Sequence, residues 1–361
     1  MKNLITVALL TLILLRILVE GFGYGNFIIP FLYLLFPMLF MNIKNFVISK
    51  LYIVFLLFAL IFFSYSFINS LSFTSDYFSL LSGVLRYGSL FIVALLFKRT
   101  EISFRIFFNF YLLLAILEFV VYSFQFSMGM ERPSGTMYSR NHIGVFLLPG
   151  IFVSLIYLKN YLMAFLFVVF LIFLGGIGNI LAAFIGLLYY MLTMRKKVII
   201  GLSIFSLFGI IMVSIFYQRI SEMVDNFQNI SERLDSGVVG GGDSFTWRLI
   251  SWHNLFSESL EKNKYIFGFG LESTSSPSVN IFGFQPHNDY VKVFIEGGIV
   301  GLIILLPIFW LSIRKLSAFN FYDISIRVTL VATMISMLSN NVLLHVSYLW
   351  IIIGFGSIKR L

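Results

Sequence analysis

The chain has 361 residues, of which 59% are hydrophobic and 11% charged, and its mean hydropathy is +0.97. This composition excludes a soluble globule and leaves an integral membrane protein. The formal charge of +9 follows membrane topology, which sets nucleic acid aside as a partner, and the absence of cysteine removes disulfides, Cys-ligated zinc and thiol catalysis.

A helix needs about 20 apolar residues to cross roughly 30 Å of hydrocarbon. Apolar runs occur at 4–19, 26–41, 46–68, 80–97, 104–127, 141–158, 160–174, 179–194, 197–217, 289–313, 323–340 and 343–358. They predict an all-α, polytopic protein with about 12 transmembrane helices. The first run has no small-residue cleavage site and reads as a span, not a signal peptide. Alternate connections carry Lys2; Lys44 and Lys50; Lys98, Arg99 and Arg105; Lys159; Arg195, Lys196 and Lys197; Arg314 and Lys315; and Lys359 and Arg360. By the positive-inside rule these sit in the cytoplasm together with both termini. Runs 160–174 and 179–194 are short and split by GGIGN at 175–179, so a pair of spans and a re-entrant pair both remain open.

The chain then divides into an N-terminal bundle at 1–217 (about nine spans), a large outer loop at 218–288 and a C-terminal part at 289–361 (about three spans). Within the loop, 235–244 is rich in glycine and 245–262 reads as a helix. Asp243 or Ser244 is its N-cap, and Phe245, Leu249, Trp252, Phe256 and Leu260 form one apolar face, which lies on the membrane or on the bundle. Turn residues mark 268–286 as loop.

Residues 282–302, FGFQPHNDYVKVFIEGGIVGL, set His287, Asn288 and Glu296 where this loop meets an apolar helix. Polar groups there are costly unless they are used, so the cluster marks a site. Arg16, Glu20, Arg86, Glu118 and Glu296 fall in the outer halves of spans and argue for a polar cavity that opens outward. Arg16 and Glu20 have the (i, i+4) spacing of a helix ion pair, and Arg86 with Glu118 offers a pair across two helices. Arg132 and Arg140 share a short outer loop with Asn141, and their planar forks match phosphate oxygens. Arg219, Arg233, Lys262 and Lys264 read as solvated loop surface. Of the four histidines, His287 is the best placed general base and His142 the second. Neither HxxH nor HExxH occurs, so no metal site is expected.

Three stretches resemble the superfamily of O-antigen polymerases and O-antigen ligases. They are ERPSGTMYSRNHIG at 131–144, WRLISWHNL at 247–255 followed by the GFG turn at 268–270, and HNDY at 287–290 leading into EGG at 296–298 and Gly301. Their order, the long outer loop and the span count make the resemblance cover most of the chain. It implies a GT-C-like helical glycosyltransferase of the bacterial inner membrane, with a periplasmic active site and no metal or other cofactor. Its substrates would be oligosaccharides on undecaprenyl diphosphate, and a chain-length regulator is a partner it leaves open. Residue by residue, it implies that Arg132 and Arg248 engage the diphosphate and that His287 deprotonates the attacking sugar hydroxyl. Arg140, Arg86, Asn288 and Asn141 are further candidate substrate contacts, with Trp252 and Glu296 in support. Ligases of the family commonly carry a serine-arginine pair where this chain has GGIGN, so that contact passes to Arg86 or Arg140. The departure tilts the expectation to a polymerase, with the ligase as its nearest alternative. A flippase for lipid-linked oligosaccharides is the alternative of another class; against it, the chain shows no two related halves.

Overall fold

A computed structural model describes residues 2–20, 25–35, 68–69, 71, 77–99, 102–130, 133–137, 139–194, 217, 221, 224–225, 244–276, 278–280, 285–317 and 319–357. Among these residues it is all-helical. In chain order the helices are α1 (Lys2–Glu20), α2 (Ile29–Leu34), α3 (Tyr77–Arg99), α4 (Phe104–Ser127), α5 (Arg140–Phe152), α6 (Tyr161–Phe173) and α7 (Ile177–Met194). They continue with α8 (Ser244–Glu261), α9 (Asp289–Lys315), α10 (Phe321–Ser336) and α11 (Val346–Ser357).

Among the described residues, five helical stretches are long and apolar enough to cross a membrane: Leu80–Phe97, Phe104–Ser127, Arg140–Tyr157, Ile177–Met194 and Asp289–Arg314. α4 shows how such a helix faces lipid. Leu113, Ile116, Val120 and Phe124 lie exposed along one side at helical spacing, while Phe107, Tyr111 and Leu114 are buried in the bundle. The other expected runs fare differently. Runs 46–68 and 197–217 lie almost wholly outside the described residues, and 26–41 is described only to residue 35. α6 has 13 residues and α11 has 12, so at 1.5 Å per residue each is about 20 Å long or less. α10, with 16 residues, is also short, and its predicted run to 340 is cut at a turn after Ser336.

The interior packs α10 against α7 and α5, and α11 against α3. α5 carries Pro149, which removes a backbone donor. Next to it the Tyr111 hydroxyl from α4 enters the helix ladder, donating to Phe146 O at 2.7 Å and accepting from Gly150 N at 3.1 Å. A π turn, Val153–Tyr157, follows and ends the helix.

The outer helix α8 forms where the sequence predicts it, and the residues it buries most fully lie beside the predicted apolar row. Thr246, Ile250, Ser251, Leu255 and Ser259 are buried, whereas Leu260 is 62% exposed and Phe256 38%. Of that row, Leu249 and Trp252 are half-buried. A cluster of Leu255, Phe269, Val279, Val291 and Ile295 joins α8 and the loop to α9. The Asp243 cap lies outside the described residues.

Candidate functional site

The helices α5, α7, α9 and α11 begin at one end of the bundle, and the candidate site is built from their first residues. Asn288 caps α9: its side chain accepts from Tyr290 N at 2.9 Å and Val291 N at 3.1 Å. Asp289 N donates to Met337 O at 2.9 Å, and its carboxylate accepts from Leu343 N. These bonds fix the start of α9 to the turn between α10 and α11. A second node lies beneath. Asn179 Nδ2 donates to Asn141 O at 2.7 Å, while its Oδ1 accepts from Ser336 Oγ at 2.7 Å and Asn340 Nδ2 at 2.9 Å. The GGIGN turn thus contributes an asparagine that ties α5, α7 and α10 together, and a Cβ on its Gly178 would strike Ser339 Oγ.

α8 lies across this end and holds the HN pair. Trp252 Nε1 donates to Pro286 O at 2.7 Å. The Trp247 ring meets the His287 ring edge-on at 6.0 Å, and Arg248 Nη1 donates to Ser339 O at 3.2 Å. His287 itself takes a left-handed backbone with φ of 51°. That conformation is uncommon outside glycine and costs of order 1 kcal/mol or more, which the clamped surroundings supply. Burial, then the neighbouring Arg248 charge and His345, push the His287 imidazole down to about 4. It is therefore neutral at pH 7 with a lone pair available. Among the described residues, Arg248 makes its one hydrogen bond to a carbonyl and meets no carboxylate, so its charge is open to an anion.

The sequence-predicted residues separate into groups. Arg248, Trp252, His287 and Asn288 come together as described, and Asn141 joins the asparagine node through its backbone. Arg140 is the first residue of α5, half-buried and without a hydrogen bond or ion pair to the described residues. Its loop is held by α4: Gln125 Oε1 accepts from Ser134 N and Gly135 N, both at 2.8 Å, and Glu118 accepts from Thr136 N at 3.0 Å and from the Thr136 hydroxyl. Arg132 lies outside the described residues.

Arg86 and Glu296 go elsewhere, and the Arg86 pair with Glu118 expected from the sequence does not form. Arg86 Nη1 instead meets Glu272 Oε1 at 3.2 Å. Lys292 Nζ lies 3.6 Å from Glu272 Oε2 and 2.6 Å from Glu296 Oε1, and Thr274 Oγ1 donates to Glu296 at 2.7 Å. Burial alone would raise the Glu272 carboxyl, but Lys292 and then Arg86 outweigh it and hold the group below its ordinary value. This cluster fixes the loop to α3 and α9 and anchors Arg86 on a carboxylate.

The same junction explains the GFG and EGG motifs. α9 breaks at Gly298 (φ 63°, ψ −161°), and the loop fills the gap in its ladder. Phe269 N and Gly270 N donate to Ile295 O and Glu296 O at 2.8 and 2.9 Å, and Ile299 N and Val300 N donate to Tyr265 O and Ile266 O at 2.9 and 3.2 Å. Backbone touches backbone here, and a Cβ on Gly268 or Gly298 would overlap the opposite chain.

Sequence reasoning passed over Asn179, Ser336 and Asn340 as site residues, because single amides and hydroxyls in apolar runs carry no spacing signal. It also read Glu20 only as a partner of Arg16. In the structure Glu20 Oε1 lies 3.0 Å from His345 Nδ1, and Ser347 donates to its other oxygen.

Residues 162–306 match a family model described as O-antigen ligase, Wzy_C. The matched segment runs from α6 into α9 and contains Arg248, Trp252, His287, Asn288 and the broken-helix junction. No curated protein gives a significant match to the chain.

Proposed function

The match at residues 162–306 is consistent with the superfamily of O-antigen polymerases and ligases, enzymes that act on lipid-linked sugars in a membrane, and from that premise we propose that this protein is a polymerase. It moves a growing chain from one undecaprenyl diphosphate onto the terminal sugar of another lipid-linked repeat, at the periplasmic face of the inner membrane. The observation that carries this reading is the pairing of Arg248, a half-buried guanidinium that meets no carboxylate among the described residues, with the neutral imidazole of His287.

A glycosyl diphosphate already has a good leaving group. What remains is to stabilise its developing negative charge and to activate an acceptor hydroxyl. Arg248, with Arg132 and Arg140, holds the diphosphate, and His287 accepts the hydroxyl proton as the oxygen attacks the anomeric carbon. The bond from that carbon to the diphosphate breaks with both electrons leaving on the phosphate oxygen. Attack from the opposite face inverts the anomeric centre, and arginines take the role that a metal cation would otherwise fill. Diphosphate bound at Arg248 also offsets the charge that depresses His287, so the base strengthens when the donor arrives.

His287→Ala is expected to abolish long polysaccharide with the protein level unchanged, and normal chain lengths in that variant would remove His287 from the reaction. The name of the matched family, O-antigen ligase, favours a second reading, the ligase, which hands the chain to lipid A core. Lipopolysaccharide from a deletion strain separates them on a gel: loss of a polymerase leaves one repeat on the core, and loss of a ligase leaves none.

A further inference from the structure

The carboxylate-oriented imidazole at the polar end is His345, which the reaction above does not use. It follows the 3-10 turn Val342–Leu344 and precedes α11, and its Nδ1 faces Glu20, the last residue of α1, at 3.0 Å. A carboxylate accepts, so Nδ1 carries the hydrogen and Nε2 is left with a lone pair. Glu20 is itself held: Ser347 donates to its second oxygen, and Arg16 Nε donates to Ser347 Oγ at 3.2 Å while its guanidinium packs over Trp350 at 5.3 Å. On the other side the His142 ring lies against that of His345. The Nδ1 of His142 is 3.0 Å from Met137 O, which fixes its hydrogen there as well. The His345 and Glu20 side chains are 16% and 11% exposed, covered enough to be oriented and open enough to be reached.

His287 and His345 differ in what surrounds them. His287 lies beside a cation, Arg248, and among the described residues has no carboxylate partner, so positive charge on its ring is opposed. Facing His345 are Glu20, Arg16, Arg86, His142 and His287, and the group in contact with its ring nitrogen is the one anion among them. The bonds of Asp289 to Met337 O and Leu343 N hold the residues that follow His287 against the turn that carries His345.

We propose that Glu20 and His345 form the second station for the proton in the transfer reaction. The acceptor hydroxyl gives its proton to His287, which passes it to Nε2 of His345. Glu20 keeps that ring oriented and stabilises the imidazolium until the proton leaves to solvent, so His287 is neutral again for the next turnover. The proposal rests on the transferase reading and on His287 as first acceptor, and it assigns a proton-carrying role to residues outside the matched family segment.

The test uses full-length protein in lipid nanodiscs with lipid-diphosphate-linked repeat units as substrate. Glu20→Gln keeps the side chain's shape and a hydrogen bond but removes its charge. It is expected to lower kcat about 100-fold with KM for the lipid-linked substrate unchanged. His345→Ala is expected to lose activity in the same way and to regain part of it when millimolar imidazole is added, a rescue that a packing role would not produce. Wild-type kcat in either folded variant overturns the proposal, as does a folded His345→Ala that imidazole does not rescue. If Glu20→Gln fails to accumulate, the imidazole experiment decides alone. Wild-type protein that builds no polymer overturns the transferase reading and the dyad together, an outcome distinct from active wild type with active variants.

Discussion

Arg86 and Arg248 are both arginines expected to hold a diphosphate, and the fold treats them in opposite ways. Arg86 belongs to a cluster of two cations and two carboxylates in which Glu272 answers both Arg86 and Lys292. Arg248 lies across the helix starts with a backbone carbonyl as its partner among the described residues. Removing charge from water is costly unless an opposite charge and hydrogen bonds compensate. Where a carboxylate meets the guanidinium, the charge secures the fold; where it is left open at a polar end, the charge is available to substrate. The two regions meet at the broken helix α9, whose first turn carries the HN pair and whose break carries the EGG motif.

Replacing one member of the closed cluster should give the largest effect on the protein itself. Lys292→Met leaves Glu272 and Glu296 facing each other without their shared cation, at a cost of about 3–5 kcal/mol. The expected result is loss of folded protein, measured by thermal unfolding in detergent. Lys292→Met with Glu296→Gln, which removes one charge of each sign, should recover much of that loss. If Lys292→Met is as stable as wild type, the cluster does not secure the loop. Arg248→Lys should do the reverse. It keeps the charge and loses the fork, so activity is expected to fall by about 10²- to 10³-fold with the unfolding temperature unchanged. Full activity in that variant would reduce Arg248 to a general electrostatic role.

The comparison also separates what the sequence could show from what it could not. Long apolar runs such as 104–127 and 289–313 gave their helices directly, since twenty consecutive apolar residues have few other structures. The helix predicted at 245–262 appears as α8, while the burial of Thr246, Ser251 and Ser259 beside its apolar row was not legible, because small hydroxyl residues carry no apolar periodicity. The HN and arginine-tryptophan stretches were legible as chemistry and do come together. The partner of Arg86 was not legible, because Glu272 lies 186 positions along the chain on a left-handed residue in a loop, where neither spacing nor periodicity points. The Glu20 to His345 contact joins the two ends of the chain and was hidden for the same reason.

A smaller effect should appear in the pH dependence. His287 acts in its neutral form, and its value of about 4 in the free protein places the acid limb of kcat/KM there, with activity lost as pH falls through it. Bound diphosphate opposes the Arg248 charge, so the acid limb of kcat should lie at higher pH than that of kcat/KM. In Arg248→Gln the limb of kcat/KM should move upward, while staying below the ordinary imidazole value because burial, the larger cause, is untouched. A limb that does not move on this substitution would mean that Arg248 and His287 are not electrically linked, and the open region would lose its claim to be one site.

Trp252→Phe is the mildest probe. It keeps an aromatic ring against the loop and deletes the hydrogen bond to Pro286 O, a loss of about 1 kcal/mol, or roughly fivefold if it falls entirely on the active geometry. His287 follows Pro286 directly and holds a left-handed backbone that would relax if released. The fivefold should therefore appear in kcat, with little change in unfolding temperature. If the loss appears in stability and kcat is untouched, Trp252 clamps α8 to the loop without setting the imidazole. Placement of His287 would then rest on Asn288 and Asp289, whose bonds to the start of α9 and to the 337–345 turn are independent of α8.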